Sequence, residues 1–146
     1  MKNFYRSSMV FVDSESKFKD LLAFLSDNDD CITIDTETTG LEVWNNDSVC
    51  AIGLGTEEEQ FFIDLRYFKP SLKKLFEVLC EVRILVGHNI KFDLAGLHRL
   101  GFIVGDSQSI HDTIVMARIS TFERFPRLSL SALIEREILL SLISMI

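Results

Sequence analysis

Two acidic residues, Asp35 and Glu37, lie two positions apart in the run Cys31-Ile32-Thr33-Ile34-Asp35-Thr36-Glu37-Thr38-Thr39-Gly40-Leu41. β-Branched residues precede them and Thr-Gly follows, the pattern of a strand that ends in a turn. In an extended chain residues i and i+2 share a face, so the two carboxylates project together. Side by side they repel and resist desolvation. A divalent cation held by oxygen ligands offsets both effects, which suits Mg²⁺ or Mn²⁺. An edge strand running into a solvated acidic turn has the same composition, and these residues alone leave both readings open.

A second constellation is Gly87-His88-Asn89-Ile90-Lys91-Phe92-Asp93-Leu94. Asn89 suits an N-cap and Gly101 a C-terminal stop, which predicts a helix over roughly 90–100. Asp93 then falls in the first turn, where the helix dipole favours a negative charge. The strand before this helix would bring its start to the same sheet edge as Asp35 and Glu37. Taken without those two residues, Asp93 reads as a first-turn stabiliser. Lys91 is placed to meet a phosphate or to be solvated. His88 and His98 lack metal-ligand partners at useful spacing and read as structural or surface residues. Arg118, Arg124 and Arg127 with Phe122 and Phe125 form a basic-aromatic stretch. Such a stretch can hold a single strand by stacking and phosphate contact, or can be a partly buried loop. Gly53 and Gly55 do not make a phosphate-binding glycine loop.

The elements that must position these groups follow from periodicity. Val10-Phe11-Val12 predicts a short strand. Asp13 or Ser14 caps a helix carrying Phe18, Leu21, Leu22 and Leu25 on one face. The Asp35/Glu37 strand comes next, then a polar loop over Glu42–Asp47. Val49–Leu54 and Gln60–Leu65 predict an antiparallel hairpin. Pro70-Ser71 opens a helix with Leu72, Leu75, Phe76 and Leu79 on one face. Ile84-Leu85-Val86 is a short strand ending at Gly87. This order predicts a single α/β domain.

Composition sets the bounds. A chain of 146 residues with 47% hydrophobic and 25% charged residues is ordinary for one soluble domain. The C-terminal apolar run is too short to span a bilayer, and no membrane partner is expected. Cys31, Cys50 and Cys80 are odd in number and far apart, which predicts buried thiols in a reducing, cytoplasmic setting. The net charge of −7 argues against non-specific nucleic-acid binding on a basic surface. It does not exclude an enzyme that meets phosphates through metal ions.

With those residues in place, Asp35-Thr36-Glu37-Thr38-Thr39-Gly40-Leu41 resembles the first motif of the DEDD (DnaQ-like) 3′–5′ exonucleases. Asn89-Ile90-Lys91-Phe92-Asp93 resembles the second. His111-Asp112-Thr113 and Leu128-Ser129-Leu130-Ser131-Ala132-Leu133 extend the likeness over roughly residues 10–138. It is strongest toward the proofreading domains of family A DNA polymerases, those of bacterial DNA polymerase I and its phage relatives. The resemblance implies a ribonuclease H-like fold, a mixed five-stranded sheet flanked by helices. It implies that Asp35, Glu37 and Asp93 are three of four carboxylates holding two Mg²⁺ or Mn²⁺ ions. One ion would activate the attacking water and the other would stabilise the leaving 3′-oxygen. Thr36, Leu41, Asn89 and Lys91 would meet the substrate, a single-stranded or frayed 3′ end of DNA, with a polymerase domain as a possible companion. Leu41 matches a position that wedges against terminal bases; a core leucine under the turn is the other reading of it. Asp112 matches a structural position.

The chain also departs from the pattern. In the family a late helix supplies the fourth carboxylate as Tyr-x-x-x-Asp or His-x-x-x-Asp. No Asp follows Asp112 here, and residues 139–146 form an atypical apolar tail. Glu123, Glu135 and Glu137 remain as late acids, and Glu135 and Glu137 read as the solvated side of a helix. The expectation is a domain whose C-terminal helix is missing. Its function is then a DNA 3′–5′ exonuclease of doubtful activity. A catalytically impaired nucleic-acid-binding remnant and an RNA-trimming exonuclease of the same superfamily are the alternatives.

Overall fold

A computed structural model describes residues 8–45, 47–121 and 128–135. In chain order the elements are β1 (Ser8–Phe11), α1 (Glu15–Asp27), β2 (Cys31–Thr38), β3 (Val49–Gly55), β4 (Glu59–Asp64), α2 (Leu72–Leu79), β5 (Ile84–Gly87), α3 (Ile90–Arg99), β6 (Ser109–Asp112) and α4 (Thr113–Thr121). A further helical segment covers residues 130–135.

The strands form one sheet in the order β1-β4-β3-β2-β5-β6. Antiparallel pairing joins β2 to β3 and β3 to β4, as the predicted hairpin requires, and the other three pairs are parallel. The sheet therefore has six strands among the described residues, one more than expected. The added strand is β6, whose four residues Ser109-Ile110-His111-Asp112 carry too little apolar alternation to be read alone. Their strand character comes from pairing along β5. Gln108 fixes the approach, its side-chain amide donating to the carbonyls of Leu79 (2.8 Å) and Val82 (2.7 Å).

Alternation decides which face each strand residue presents. Ile32, Ile34 and Thr36 of β2 share a face with Ile52 and Leu54 of β3, Phe61 and Ile63 of β4, and Leu85 of β5. These residues are buried. They pack with Phe18, Leu21 and Leu25 of α1, Leu75, Phe76 and Leu79 of α2, and Ile90 and Leu97 of α3 in one core. Both predicted amphipathic stripes thus face this side. Ser14 caps α1 and Ser71 caps α2, each accepting from the backbone N–H three residues on. On the opposite face of β2 stand Cys31, Thr33, Asp35 and Glu37, all exposed.

Two expectations are corrected by this arrangement. β2 is an internal strand, so the edge-strand reading of Asp35 and Glu37 falls. The three cysteines are free, but Cys31 is exposed and the other two are half-buried, because β2 alternation turns Cys31 away from the helices. Among the described residues no helix is long and apolar enough to cross a membrane. The basic-aromatic residues Phe122, Arg124, Phe125 and Arg127, the acids Glu123 and Glu137, and the tail 139–146 lie outside the described residues.

Candidate active site

Asp35 and Glu37 emerge side by side from the open face of β2, as their spacing predicts. The β2–β3 register shifts between Glu37 and Thr38. Glu37 pairs with Ala51 and Thr38 with Val49, so Cys50 is an extra residue on β3. Such a bulge increases local twist and re-aims the strand end. Asp35 also lines a groove of about 460 Å³ on this face, together with Met9, Thr33, Gly53, His88 and Thr113. A hydrogen bond of 2.8 Å between His88 Nδ1 and Thr113 Oγ1 closes one wall, which assigns His88 a structural part.

Asp93 reaches β2 from the adjoining helix. β5 runs parallel to β2 but pairs with it only as far as Thr33. Beyond that point the β5 side of β2 is open, and the N–H of Thr36 has no strand to meet. Asp93, in the first turn of α3, takes that place. Its Oδ1 accepts from the Thr36 N–H (2.8 Å) and from Thr36 Oγ1 (2.7 Å). Asp93 is 3% exposed and Thr36 8% exposed. Burial pushes the Asp93 carboxyl above the ordinary carboxylate range. The two Thr36 hydrogen bonds pull the other way, and the nearby charge of Asp35 adds to the rise.

Asp93 thus meets β2 at Thr36, between Asp35 and Glu37 in sequence, and the charge of Asp35 bears on Asp93. Among the described residues no three His, Cys, Asp or Glu side chains are grouped so as to hold a metal ion. Thr36 faces the helix-covered side of β2 and bonds Asp93, while Asp35 and Glu37 face the other side. The donor chemistry nonetheless fits a hard divalent cation. All three groups offer carboxylate oxygens, and a buried carboxyl raised by burial and by a neighbouring negative charge gains from a cation between them.

Of the expected substrate residues, Thr36 has a buried side chain that donates to Asp93. Asn89 stands at the N-cap position of α3 but does not cap it. Its backbone is left-handed (φ 61°), and its side chain makes no cap hydrogen bond. Asparagine tolerates this conformation better than most residues. Its N–H donates instead to Asp112 Oδ1 (3.1 Å), which also accepts from the Ile114 N–H (2.8 Å). Asp112 thereby ties the starts of α3 and α4 together, the structural part expected of it. Lys91 is exposed and forms no ion pair among the described residues. Leu41 is 81% exposed, which excludes the core-leucine reading.

Leu41 belongs to a loop, residues 39–48, that is fixed from beneath. The Asp47 carboxylate accepts from Thr39 Oγ1 (3.2 Å) and the Glu42 N–H (2.7 Å). A β-carbon at position 40 would fall 2.5 Å from that carboxylate, so a larger residue there would push the Asp47 side chain off its bonds to the loop. Arg99 of α3 donates to the carbonyls of Val43 (3.0 Å) and Asp47 (2.9 Å). Trp44, in the same loop, meets Phe92 of α3 edge to face with ring centroids 5.9 Å apart. The sequence reading passed over Trp44, since a lone aromatic in a polar segment carries no periodicity.

Comparison with known proteins agrees with this geometry. A family model described as 3′–5′ exonuclease matches residues 9–144. DNA polymerase I of Aquifex aeolicus (strain VF5) is 34% identical over 98 residues, 67% of this chain and 15% of that protein. A DNA polymerase of Mycobacterium phage D29 is 28% identical over 100 residues, 66% of this chain and 16% of that one. The chain therefore spans about one sixth of the curated relatives it matches. In fold it resembles Escherichia coli RNase D, an exoribonuclease involved in structured RNA processing. The TM-score is 0.69 at 16% identity, over 91% of this chain and 33% of that one. The mixed sheet flanked by helices is thus the ribonuclease H-like fold expected.

Proposed function

The chain belongs to the 3′–5′ exonuclease family, and from that premise we propose that it hydrolyses the terminal phosphodiester of a DNA 3′ end at Asp35, Glu37 and Asp93. The observation that carries the proposal is the Asp93 carboxylate bonded to Thr36, the residue between Asp35 and Glu37 in an internal strand. Asp35 and Glu37 project together from the exposed face of β2, and Asp93 couples to Asp35 from α3. Asp35, Glu37 and Asp93 are the residues that would hold Mg²⁺ or Mn²⁺. When bound, such ions supply an activated water and stabilise the leaving oxygen.

The chain's own residues supply position and charge. Thr36 fixes Asp93 against β2, and Asp35 lines the groove. Lys91 is placed to meet a backbone phosphate, and the unbonded side chain of Asn89 can contact the sugar-phosphate. Leu41 stands out from the Thr-Gly turn, where apolar contact can separate terminal bases. The DNA polymerase relatives support DNA as the substrate and a polymerase domain as the companion. Three free cysteines fit a reducing compartment, so we place the reaction in the cytoplasm.

The test is release of labelled nucleoside monophosphate from a 3′-labelled single strand in Mg²⁺ or Mn²⁺, with protein in excess over DNA. Release should stop on chelation and in Asp35→Ala. Release from a 5′ label alone, or release that Asp35→Ala retains, would overturn the reading. Likeness in fold to RNase D favours RNA as a second substrate. Running an RNA strand of the same sequence beside the DNA strand decides between them.

A further inference from the structure

We propose that Trp44 is a base-stacking residue, receiving an unpaired nucleobase of the bound strand. The inference rests on the exonuclease reading and adds a contact to the same site. Trp44 is 58% exposed although it is the chain's sole tryptophan and its largest apolar side chain. The loop does not need that exposed surface. Arg99, Asp47 and the fully buried Val43 hold the loop from the other side. Contact with Phe92 orients the indole and leaves more than half of the residue to solvent. Phe92 is the immediate neighbour of Asp93 and Lys91, so the ring is tied to the segment that carries a proposed metal-binding carboxylate and a free cation.

Charge points to the same occupant. The net charge of the chain is −7, and Asp35 and Glu37 are open to solvent, so phosphate attraction alone is a weak source of affinity near them. Contacts that do not depend on phosphate attraction then add to the hold on a strand. Stacking of a base on an aromatic ring is such a contact, and it tolerates any sequence because every base has a π-face. Leu41, exposed on the same loop, adds apolar surface beside it. An indole already oriented by Phe92 loses less conformational freedom on binding than a free side chain would.

Because Trp44 is the sole tryptophan, fluorescence excited at wavelengths that tyrosine does not absorb reports on it alone. The experiment titrates the protein in Mg²⁺ with a short oligothymidylate made resistant to hydrolysis by 3′ phosphorothioate linkages. Emission from Trp44 should be quenched saturably. Fluorescein anisotropy of the same strand should give a matching affinity. Trp44→Ala should weaken binding about five-fold or more, whereas Trp44→Phe should retain most of it. A strand with abasic sites at its 3′ end should bind the native chain more weakly and quench less. Normal binding by anisotropy with no quenching, and with Trp44→Ala indistinguishable from the native chain, overturns the stacking role and leaves the exonuclease reading standing. Failure of native protein to bind any single strand overturns both. Circular dichroism of each variant separates lost binding from lost fold.

Discussion

At the scale of single residues, Asp93 and Thr36 set the character of the site. The folded state holds the Asp93 proton more tightly than the unfolded chain does, since burial raises its carboxyl. By linkage, the stability this proton supplies is present at low pH. It is lost as pH rises from the ordinary carboxylate value, about 4, through the raised folded value. Asp93→Asn should therefore be the more thermostable protein at neutral pH without metal. Its advantage in melting temperature should grow as pH rises across that window and then level off. Added Mg²⁺ should reverse the order, because a cation bound to the folded state at a hundred times its Kd stabilises by about 2.7 kcal/mol. Equal melting curves for the two proteins at every pH would remove Asp93 as a strained carboxylate. Thr36→Val takes one of the two donors from a buried acceptor. It should cost about 1–3 kcal/mol in urea unfolding, with Thr36→Ser recovering most of the loss. The Asp35/Glu37 pair was legible in the sequence because alternation in a strand fixes facing. The bond from Thr36 to Asp93 was not legible, because alternation turns Thr36 inward toward a helix whose docking the local sequence does not encode.

The elements explain why these residues meet. β5 is short and ends at Gly87, where an added β-carbon would lie 2.9 Å from Ile90 Cγ1 and 3.0 Å from the Ile34 carbonyl oxygen. That close approach brings the start of α3 onto β2 just past the last paired residue. Asp112, at the end of β6, then locks the starts of α3 and α4 through one carboxylate oxygen. Asp112→Ala should cost about 1–3 kcal/mol of stability through two lost acceptor bonds. Asp35→Ala, which removes an exposed carboxylate, should stay within about 0.5 kcal/mol of the native chain. Denaturant titration of the two variants thus separates a structural acid from a functional one, and comparable losses would undo the distinction. α1, α2 and the β3–β4 hairpin could be read from sequence because each carries its own cap, stripe or turn. β6 and the left-handed Asn89 could not. The first exists through pairing along β5, and the second through a bond to a residue 23 positions away.

For the molecule as a whole, the question is how much catalysis three carboxylates support. Hydrolysis with two ions needs both fixed, one near the attacking water and one near the leaving oxygen. Among the described residues no three carboxylates are grouped to hold an ion, and no Asp follows Asp112 in the sequence. Glu135 is exposed at the end of the 130–135 segment. Placing reacting groups can account for roughly 7–11 kcal/mol of barrier lowering in favourable cases, so a loosely held second ion is a large loss. Residues 1–146 should therefore release nucleotides at least about a hundred-fold more slowly than a relative with all four carboxylates, a barrier difference of about 2.7 kcal/mol. Appending a helix that bears Tyr-x-x-x-Asp, so that its acid can face Asp35, should recover rate in kcat more than in KM, because it leaves unchanged the residues proposed to contact the strand. Single-turnover release of labelled monophosphate, with Asp35→Ala as the control for contaminating nuclease, measures the difference. Release by the unextended chain at the full rate of a four-carboxylate relative, still dependent on Asp35, would show that a late glutamate or Asp112 completes the site.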